Sequence, residues 1–154
     1  MPTRAKALHI LIVDDEPLIR DTLTEYLTQE GFPVTSCGSG EDALALARDR
    51  FFDVILCDVQ LPGIDGIEFL ERLLKVSPQT FVLLITAYGT VENAVEAFHR
   101  GAHDYLMKPI LLEEVHNKIR RLLAYRDVYL ENQWLRRELN RNQGAENIIG
   151  KSPP

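Results

Sequence analysis

Long apolar runs and cysteines are scarce in this sequence of 154 residues. No apolar run reaches the roughly 18 residues that a membrane-spanning helix needs, so we expect no membrane contact. Residues 1–7 are polar and lack the apolar core of a signal peptide. The two cysteines, Cys37 and Cys57, lie at the ends of predicted strands. We interpret them as reduced core residues of a cytoplasmic protein, because small intracellular α/β domains rarely contain a disulfide.

The sequence also lacks an excess of positive charge. Its 17 Lys and Arg residues against 23 Asp and Glu residues give a formal net charge of -6. This balance argues against direct nucleic-acid contact as the main function of this segment. Hydrophobic residues make up 45% of the chain and charged residues 26%, so it can bury a full core. The length suggests one domain with an appendage.

Five short apolar runs alternate with five stretches of helical periodicity. The predicted strands span residues 8–13, 34–37, 52–57, 81–85 and 105–107. The predicted helices begin near Pro17, Gly40, Gly66, Val91 and Leu112. This alternation predicts a doubly wound, parallel α/β sheet with right-handed crossovers. About 120 residues and five strands fit the order 2-1-3-4-5, followed here by an extended C-terminal helix.

Polar residues stand at the carboxyl ends of four of these strands. They are Asp14 and Asp15 after the first strand, Asp58 after the third, Thr86 after the fourth and Lys108 after the fifth. In the order 2-1-3-4-5 these four strands are consecutive neighbours, so their carboxyl ends should meet. The point where the strand order reverses lies between the acid pair and Asp58, and open α/β sheets bind ligands at that point. Asp58 alone could equally cap the Pro62-Gly63 turn.

Three carboxylates at one edge require compensating positive charge. Two unit charges about 4 Å apart repel by roughly 4 kcal/mol at an effective dielectric of about 20. Lys108 supplies one positive charge, and Mg²⁺ or Mn²⁺ would supply two more through oxygen ligands. The alternative is that one of the acids is protonated. A carboxylate beside such a metal can act as a nucleophile toward phosphorus, which favours Asp58 as an acyl phosphate site with Thr86 donating a hydrogen bond.

Together these residues resemble the receiver domain of two-component response regulators, over about residues 7–124. Five motifs occur in the order of that family: Asp14-Asp15, Asp58, Thr86-Ala87, Tyr105 and Lys108-Pro109. The resemblance implies a flavodoxin-like fold. It also implies that Asp58 accepts a phosphoryl group from a phosphohistidine of a sensor histidine kinase. Such a domain is a regulatory phosphoacceptor that catalyses only its own phosphorylation and dephosphorylation.

The same resemblance implies a metal site beside Asp58. The metal ligands would be Asp15, Asp58 and the backbone carbonyl of Gln60, with Asp14 assisting through water. Lys108 would pair with the phosphoryl group or with Asp58. The peptide bond from Lys108 to Pro109 would be cis, a form that X-Pro bonds adopt at little cost.

The resemblance further implies a switch built from Thr86-Ala87 and Tyr105. Phosphorylation would draw the Thr86 hydroxyl toward the phosphate, and Tyr105 would move into the space that opens. The surface formed by about residues 90–123 would then change its partner preference, which is a local charge event acting on a bistable element. The alternative for Tyr105 is an ordinary core aromatic on a strand.

The last predicted helix continues past the expected end of the receiver at Ala124, without Gly or Pro until Gly144. Five residues in it are spaced three, four, three and four apart, as in the a and d positions of a coiled coil: Tyr125, Val128, Asn132, Leu135 and Leu139. In this frame Glu131 occupies g and Arg136 the following e, which favours a parallel homodimer through residues 125–143. The alternative is a solvated single helix.

The tail resembles a different domain. Residues 146–153 look like the start of the central ATPase domain of sigma-54-dependent transcription activators of the nitrogen-regulator class, and residues 86–91 also resemble that class. We therefore expect a fragment with a tail at 1–6, a receiver at 7–124, a linker at 125–143 and the ATPase start at 144–154. An ATPase and a DNA-binding domain would follow. Gly150-Lys151-Ser152 is not a phosphate loop, because Ala145 stands where its first glycine is required.

Two other functions compete with this interpretation. A phosphatase or phosphotransferase with an aspartate nucleophile needs a second acid two residues later, where Gln60 stands. A flavin-binding electron carrier of the same fold would have a Gly/Ser/Thr phosphate loop after the first strand, where Asp14-Asp15-Glu16 stands. The histidines lack the mutual spacing of a zinc site: His9, His99, His103 and His116.

Overall fold

The computed structural model of the chain describes residues 8–87, 96 and 99–146. The strands are β1 (Ile10–Val13), β2 (Val34–Cys37), β3 (Val54–Asp58), β4 (Phe81–Thr86) and β5 (Asp104–Met107). The described helices are α1 (Pro17–Gln29), α2 (Gly40–Asp49), α3 (Gly66–Val76) and α4 (Leu112–Glu146). The helix predicted over residues 91–100 lies largely outside the described residues.

The five strands form one parallel sheet in the order β2-β1-β3-β4-β5, which confirms the predicted fold class and strand order. In the register of the sheet, Val13 at the end of β1 lies between Cys37 of β2 and Cys57 of β3. Cys57 is buried, Cys37 is half-buried, and both are free thiols. Because neighbouring strands end together, the residues that follow them meet at one edge.

Local sequence explains where the elements begin. β1 and β3 are buried at every residue, as expected for apolar strands covered on both faces of a parallel sheet. Pro17 occupies the first turn of α1, where its missing N–H is not needed. Ser39 caps α2 by accepting the Asp42 N–H at 3.1 Å, and Asp65 caps α3 in the same way.

The first and third strands each begin two residues later than the sequence predicts. β1 begins at Ile10 rather than Leu8, and β3 begins at Val54 rather than Phe52. The backbone N–H of His9 donates to the Asp53 carboxylate at 2.8 Å, so a side chain replaces the ladder bond there. Leu8 and Phe52 are still buried, which explains why their apolar character suggested strand.

The chain divides into two compact units between His116 and Asn117. In the first unit, Val115 is buried and His116 pairs with Glu30, the residue after α1, through Nδ1 and Oε1 at 2.6 Å. In the second unit, α4 extends through Gly144 to Glu146. Residues 147–154, where the start of another domain is predicted, lie outside the described part. No described helix contains a stretch that is both long and apolar enough to cross a bilayer.

Candidate functional site

Asp58 and Lys108 meet at the carboxyl edge of the sheet. Asp58 ends β3 and is only 2% exposed. Its Oδ2 accepts a hydrogen bond from Lys108 Nζ at 2.7 Å, and its Oδ1 accepts the Gln60 N–H at 2.9 Å. The backbone N–H of Lys108 donates to the Thr86 carbonyl at 2.9 Å, so pairing of the loop after β5 with the end of β4 brings the ammonium to Asp58.

Asp14 contributes a second, fully buried carboxylate. Its Oδ1 accepts the Glu16 N–H at 2.9 Å, whereas its Oδ2 has no hydrogen-bond partner among the described residues. Burial raises the pKa of Asp14 to about 6, the Glu16 N–H partly opposes this, and repulsion from Asp58 adds to it. A buried carboxylate oxygen without a hydrogen-bond partner is costly. Asp14 Oδ2 is therefore a candidate contact for a bound ligand such as a cation.

Glu16 supplies a third carboxylate that the sequence interpretation did not include. Its Oε1 accepts from Lys108 Nζ at 3.1 Å, so the ammonium bridges Glu16 and Asp58. One oxygen each from Asp14, Glu16 and Asp58 lie within 4.8 Å of one another. The position of Glu16, directly after the acid pair and before Pro17, was the signal that could have suggested this role.

The resemblance assigned Asp15 as a direct metal ligand, but the structure places it outside the group formed by its two neighbours and Asp58. Its side chain is exposed, and it is not part of the compact group of Asp14, Glu16 and Asp58. Gln60 is exposed as well, and its backbone N–H is the group that contacts Asp58.

The charges of this group do not balance. Three ionised carboxylates and one ammonium leave a net charge of two negative units. Burial lowers the pKa of Lys108, but its hydrogen bonds to Asp58 and Glu16 outweigh burial and raise the pKa, so the ammonium stays charged. Clustered carboxylate oxygens of this kind are the ligands that hard divalent cations prefer.

The remaining predicted residues lie along β4, β5 and the loop after each. Thr86 ends β4 opposite Met107, and Ala87 beyond it is exposed. Tyr105 lies on β5 and packs against the buried core cluster, half-buried itself. The peptide bond between Lys108 and Pro109 is cis.

The histidines lie elsewhere. His103 Nδ1 accepts the Val82 N–H at 3.1 Å, and burial lowers the pKa of this imidazole, so the ring remains a neutral acceptor. His9 and His99 are exposed. Among the side chains that the structure describes, the group of Asp14, Glu16 and Asp58 is the one set of acidic, histidine or cysteine residues close enough to share a metal ion.

Comparison with curated proteins gives several relatives that are much longer than this chain. The regulatory protein AtoC of Escherichia coli is 37% identical over 144 residues, which cover 94% of this chain and 31% of AtoC. The transcriptional regulatory protein ZraR of Salmonella typhimurium is 38% identical over 118 residues, covering 77% of this chain and 27% of ZraR. The C4-dicarboxylate transport transcriptional regulatory protein DctD of Rhizobium meliloti is 29% identical over 144 residues, covering 94% and 31%. The chain thus spans about a third of the length of these relatives.

Solved structures give the same result for the fold. A CheY-like response regulator receiver domain protein from Methanospirillum hungatei has a TM-score of 0.76 and 33% sequence identity, covering 79% of this chain and 98% of that one. A putative response regulator from Chloroflexus aurantiacus has a TM-score of 0.71 and 34% identity, covering 76% and 98%. The family described as response regulator receiver domain matches residues 10–120, a range that includes the whole sheet and the acidic edge. The chain therefore belongs to the response regulator receiver domain family.

Proposed function

We propose that the chain is a phosphorylation-controlled receiver with Asp58 as its phosphoacceptor. The observation that carries this proposal is the buried Asp58 carboxylate, held by Lys108 at 2.7 Å beside an unbalanced acidic group at the edge of the sheet. An Asp58 oxygen forms a bond to phosphorus while the N–P bond of a phosphohistidine on a sensor histidine kinase breaks. The histidine nitrogen leaves with the electron pair of that bond and takes up a proton.

The acidic edge fits Mg²⁺ or Mn²⁺. Its excess negative charge and the unpartnered Asp14 Oδ2 support this fit. In the proposal, Asp15, Asp58 and the backbone carbonyl of Gln60 hold the metal, and Asp14 assists through water. When bound, the metal offsets negative charge on the phosphoryl oxygens. Lys108, which donates to Asp58 Oδ2, would offset negative charge on the phosphoryl group as well. The Thr86 hydroxyl and the segment at Ala87 would donate hydrogen bonds to it.

Thr86 and Tyr105 form the proposed switch. Thr86 ends β4 at the edge where Asp58 ends β3, and Tyr105 lies opposite Leu84 on the neighbouring strand β5, half-buried against the core. A new phosphoryl group attracts the Thr86 hydroxyl, and the change in packing lets Tyr105 turn inward. The local charge event thereby selects between two arrangements of the surface around residues 90–123.

The output of the switch is proposed to be transcriptional. The relatives AtoC, ZraR and DctD are regulatory proteins by name, and the sequence of residues 146–153 resembles the start of a sigma-54 activator ATPase domain. Here residues 7–124 are the receiver and residues 125–143 a linker that forms a parallel homodimer. The exposed apolar residues of α4 support that dimer, since Tyr125, Val128, Leu135 and Leu139 share the predicted seam.

Labelling of the 154-residue chain tests the central claim. Incubation with a small acyl phosphate and Mg²⁺ should add one phosphoryl group, measured by intact mass, and Asp58→Asn should abolish the addition. Asp65→Asn is the matched control, because it changes a carboxylate at the end of the loop that follows Asp58 while asparagine keeps the cap of α3. Labelling that persists in Asp58→Asn would show that Asp58 is not the phosphoacceptor.

A further inference from the structure

The loop that follows Asp58, residues 59–65, is anchored at both of its ends by its own flanking elements. At the start, the Gln60 N–H donates to Asp58 Oδ1 at 2.9 Å. At the end, the Gly66 N–H donates to the Val59 carbonyl at 2.8 Å and closes the loop. These bonds fix the points of entry and exit but leave the middle of the loop to other contacts. We call residues 59–65 the phosphoacceptor loop.

The middle of the phosphoacceptor loop is held from a different element, the first turn of α2. Glu41 Oε2 accepts the Ile64 N–H at 3.2 Å, a hydrogen bond between residues 23 positions apart. Glu41 has no part in the acidic group of Asp14, Glu16 and Asp58. Its side chain is exposed, and its carboxylate contacts the backbone of the loop.

Two glycines show how closely α2 and the phosphoacceptor loop approach. A Cβ on Gly40 would lie 2.7 Å from Ile64 Cγ1 and 3.0 Å from Ile64 Cδ1. A Cβ on Gly63 would collide with the Glu41 carboxylate. The side chains of Ile64 and Glu41 thus occupy the space beside Gly40 and Gly63. The hydrogen bond therefore belongs to a close contact between α2 and the phosphoacceptor loop.

We propose that Glu41 is a positioning residue for the metal site, which it serves by holding the phosphoacceptor loop in place. This inference rests on the proposed function, in which the Gln60 backbone carbonyl is a metal ligand. A loop that is already ordered loses less conformational entropy when the metal binds, so a fixed loop binds Mg²⁺ more tightly. Glu41 raises the Mg²⁺ affinity in this way without touching the metal.

Negative charge alone offers a simpler explanation for any effect of Glu41 on a cation, and the chain contains a matched control for it. Asp42 follows in the same first turn, carries the same charge and is exposed. Its backbone N–H donates to Ser39 Oγ, and this bond survives truncation of its side chain. Asp42→Ala therefore removes the same charge from the same helix end without touching the loop. Glu41→Gln removes the charge of Glu41 but keeps a side-chain oxygen for the Ile64 N–H.

The test measures Mg²⁺ affinity by calorimetry and loop order by ¹⁵N relaxation in the 154-residue chain. Glu41→Ala should weaken Mg²⁺ binding about three- to tenfold, the range expected for one lost hydrogen bond. Labelling at saturating Mg²⁺ should stay near the wild-type rate, because a positioning role changes the metal requirement rather than the chemistry. Without metal, the heteronuclear NOE of the amides at 61, 63 and 64 should fall in Glu41→Ala and hold in Glu41→Gln and Asp42→Ala.

The outcomes separate this inference from the proposed function. If Glu41→Ala binds Mg²⁺ as tightly as wild type, the role of Glu41 is overturned and the proposed function is not. An equal loss of Mg²⁺ affinity in Asp42→Ala has the same consequence. Failure of Glu41→Gln to restore binding to within about twofold of wild type also overturns it, since charge then explains the effect. A wild-type chain that binds no Mg²⁺ overturns the metal site and this inference with it, while unlabelled Asp58 in a chain that binds Mg²⁺ overturns only the phosphoacceptor.

Discussion

At the scale of single residues, Asp14 shows how the site departs from an ordinary protein core. It is a fully buried carboxylate with one oxygen bonded to the Glu16 N–H and the other without a partner among the described residues. Burial and the nearby Asp58 both oppose its ionisation, and its pKa is about 6 instead of 3.8. The acidic edge is therefore built at the expense of stability, a pattern that is common at functional sites.

This electrostatic cost predicts the pH dependence of folding without metal. Between pH 3.8 and about 6 the folded chain holds the Asp14 proton more tightly than the unfolded chain. Asp14 therefore makes the free energy of unfolding fall as pH rises through that window, by at most about 3 kcal/mol, and the loss persists above it. Asp14→Asn should raise the free energy of unfolding by about 1–3 kcal/mol at neutral pH, and much less near pH 4.

Urea unfolding of both proteins at the two pH values, without Mg²⁺, measures this difference. If Asp14→Asn is no more stable than wild type at neutral pH, the assigned pKa of Asp14 is wrong.

Asp15 and Glu16 are neighbours in the chain with different surroundings, and metal binding should distinguish them. Glu16 is paired with Lys108 and its side chain is 58% exposed, whereas the resemblance makes Asp15 a direct ligand. Asp15→Asn should weaken Mg²⁺ binding by about a hundredfold or more, and Glu16→Gln by less than about tenfold. Calorimetry on the two variants provides the comparison. A larger loss in Glu16→Gln would make Glu16, which belongs to the compact group with Asp14 and Asp58, the ligand instead.

At the scale of elements, the junction between β3 and α3 determines how Asp58 is presented. α3 begins at Gly66, and a Cβ there would lie 2.5 Å from the Asp58 carbonyl oxygen and 2.7 Å from Val59 Cα. Both are backbone atoms, so neither can rotate away. The helix can thus begin directly against the strand that carries the phosphoacceptor only because residue 66 has no side chain.

Substitution of Gly66 should therefore disturb both stability and the site. Gly66→Ala is expected to lower the free energy of unfolding by about 2–3 kcal/mol, because the junction must shift to admit the methyl group. Labelling of Asp58 should slow as well, since Asp58 is part of the junction. Urea unfolding and intact mass measure the two effects.

Gly31 supplies the matched control for this substitution. It has a φ of +98°, and a Cβ there would meet nothing within 4 Å. Gly31→Ala should thus lower the free energy of unfolding by only about 1–2 kcal/mol from backbone strain, with labelling unchanged. Equal stability losses in the two variants, with normal labelling in both, would remove the steric role of Gly66.

At the scale of the whole molecule, α4 carries large apolar side chains that its own unit leaves exposed. Tyr125, Val128, Leu135 and Leu139 are between 45% and 61% exposed and follow the predicted a and d spacing. Trp134 is 55% exposed but falls outside that spacing. Substitutions at the a and d positions and at Trp134 therefore distinguish the proposed parallel dimer from nonspecific hydrophobic association of the helix.

Leu135→Arg should shift the chain from dimer to monomer, because it puts a charge into the seam of the coiled coil. Trp134→Arg introduces the same charge one residue away and should leave the dimer intact. Sedimentation at tens of micromolar measures both. If the wild-type chain is a monomer at that concentration, the dimer proposal is wrong. If both variants lose the dimer equally, the interface is a broader apolar contact and not the predicted coiled-coil seam.

The sequence by itself determined the fold class, the strand order and the edge where the site forms. Apolar runs alternating with helical periods allow few topologies, and in a parallel sheet every strand end points to the same side. Asp14, Asp58, Thr86 and Lys108 were therefore predictable members of one edge from their positions after strands. Strand ends near His9 and Asp53 were not predictable, because a side chain there takes the place of a backbone partner.

The tertiary structure alone decided which groups touch. Glu16 reaches Lys108 across 92 residues of chain, and Glu41 reaches Ile64 across 23. Contacts of this kind depend on distances of a few ångströms between elements, which no periodic pattern in the sequence records. The same holds for the raised pKa of Asp14, since burial and a nearby charge exist only after the strands have packed.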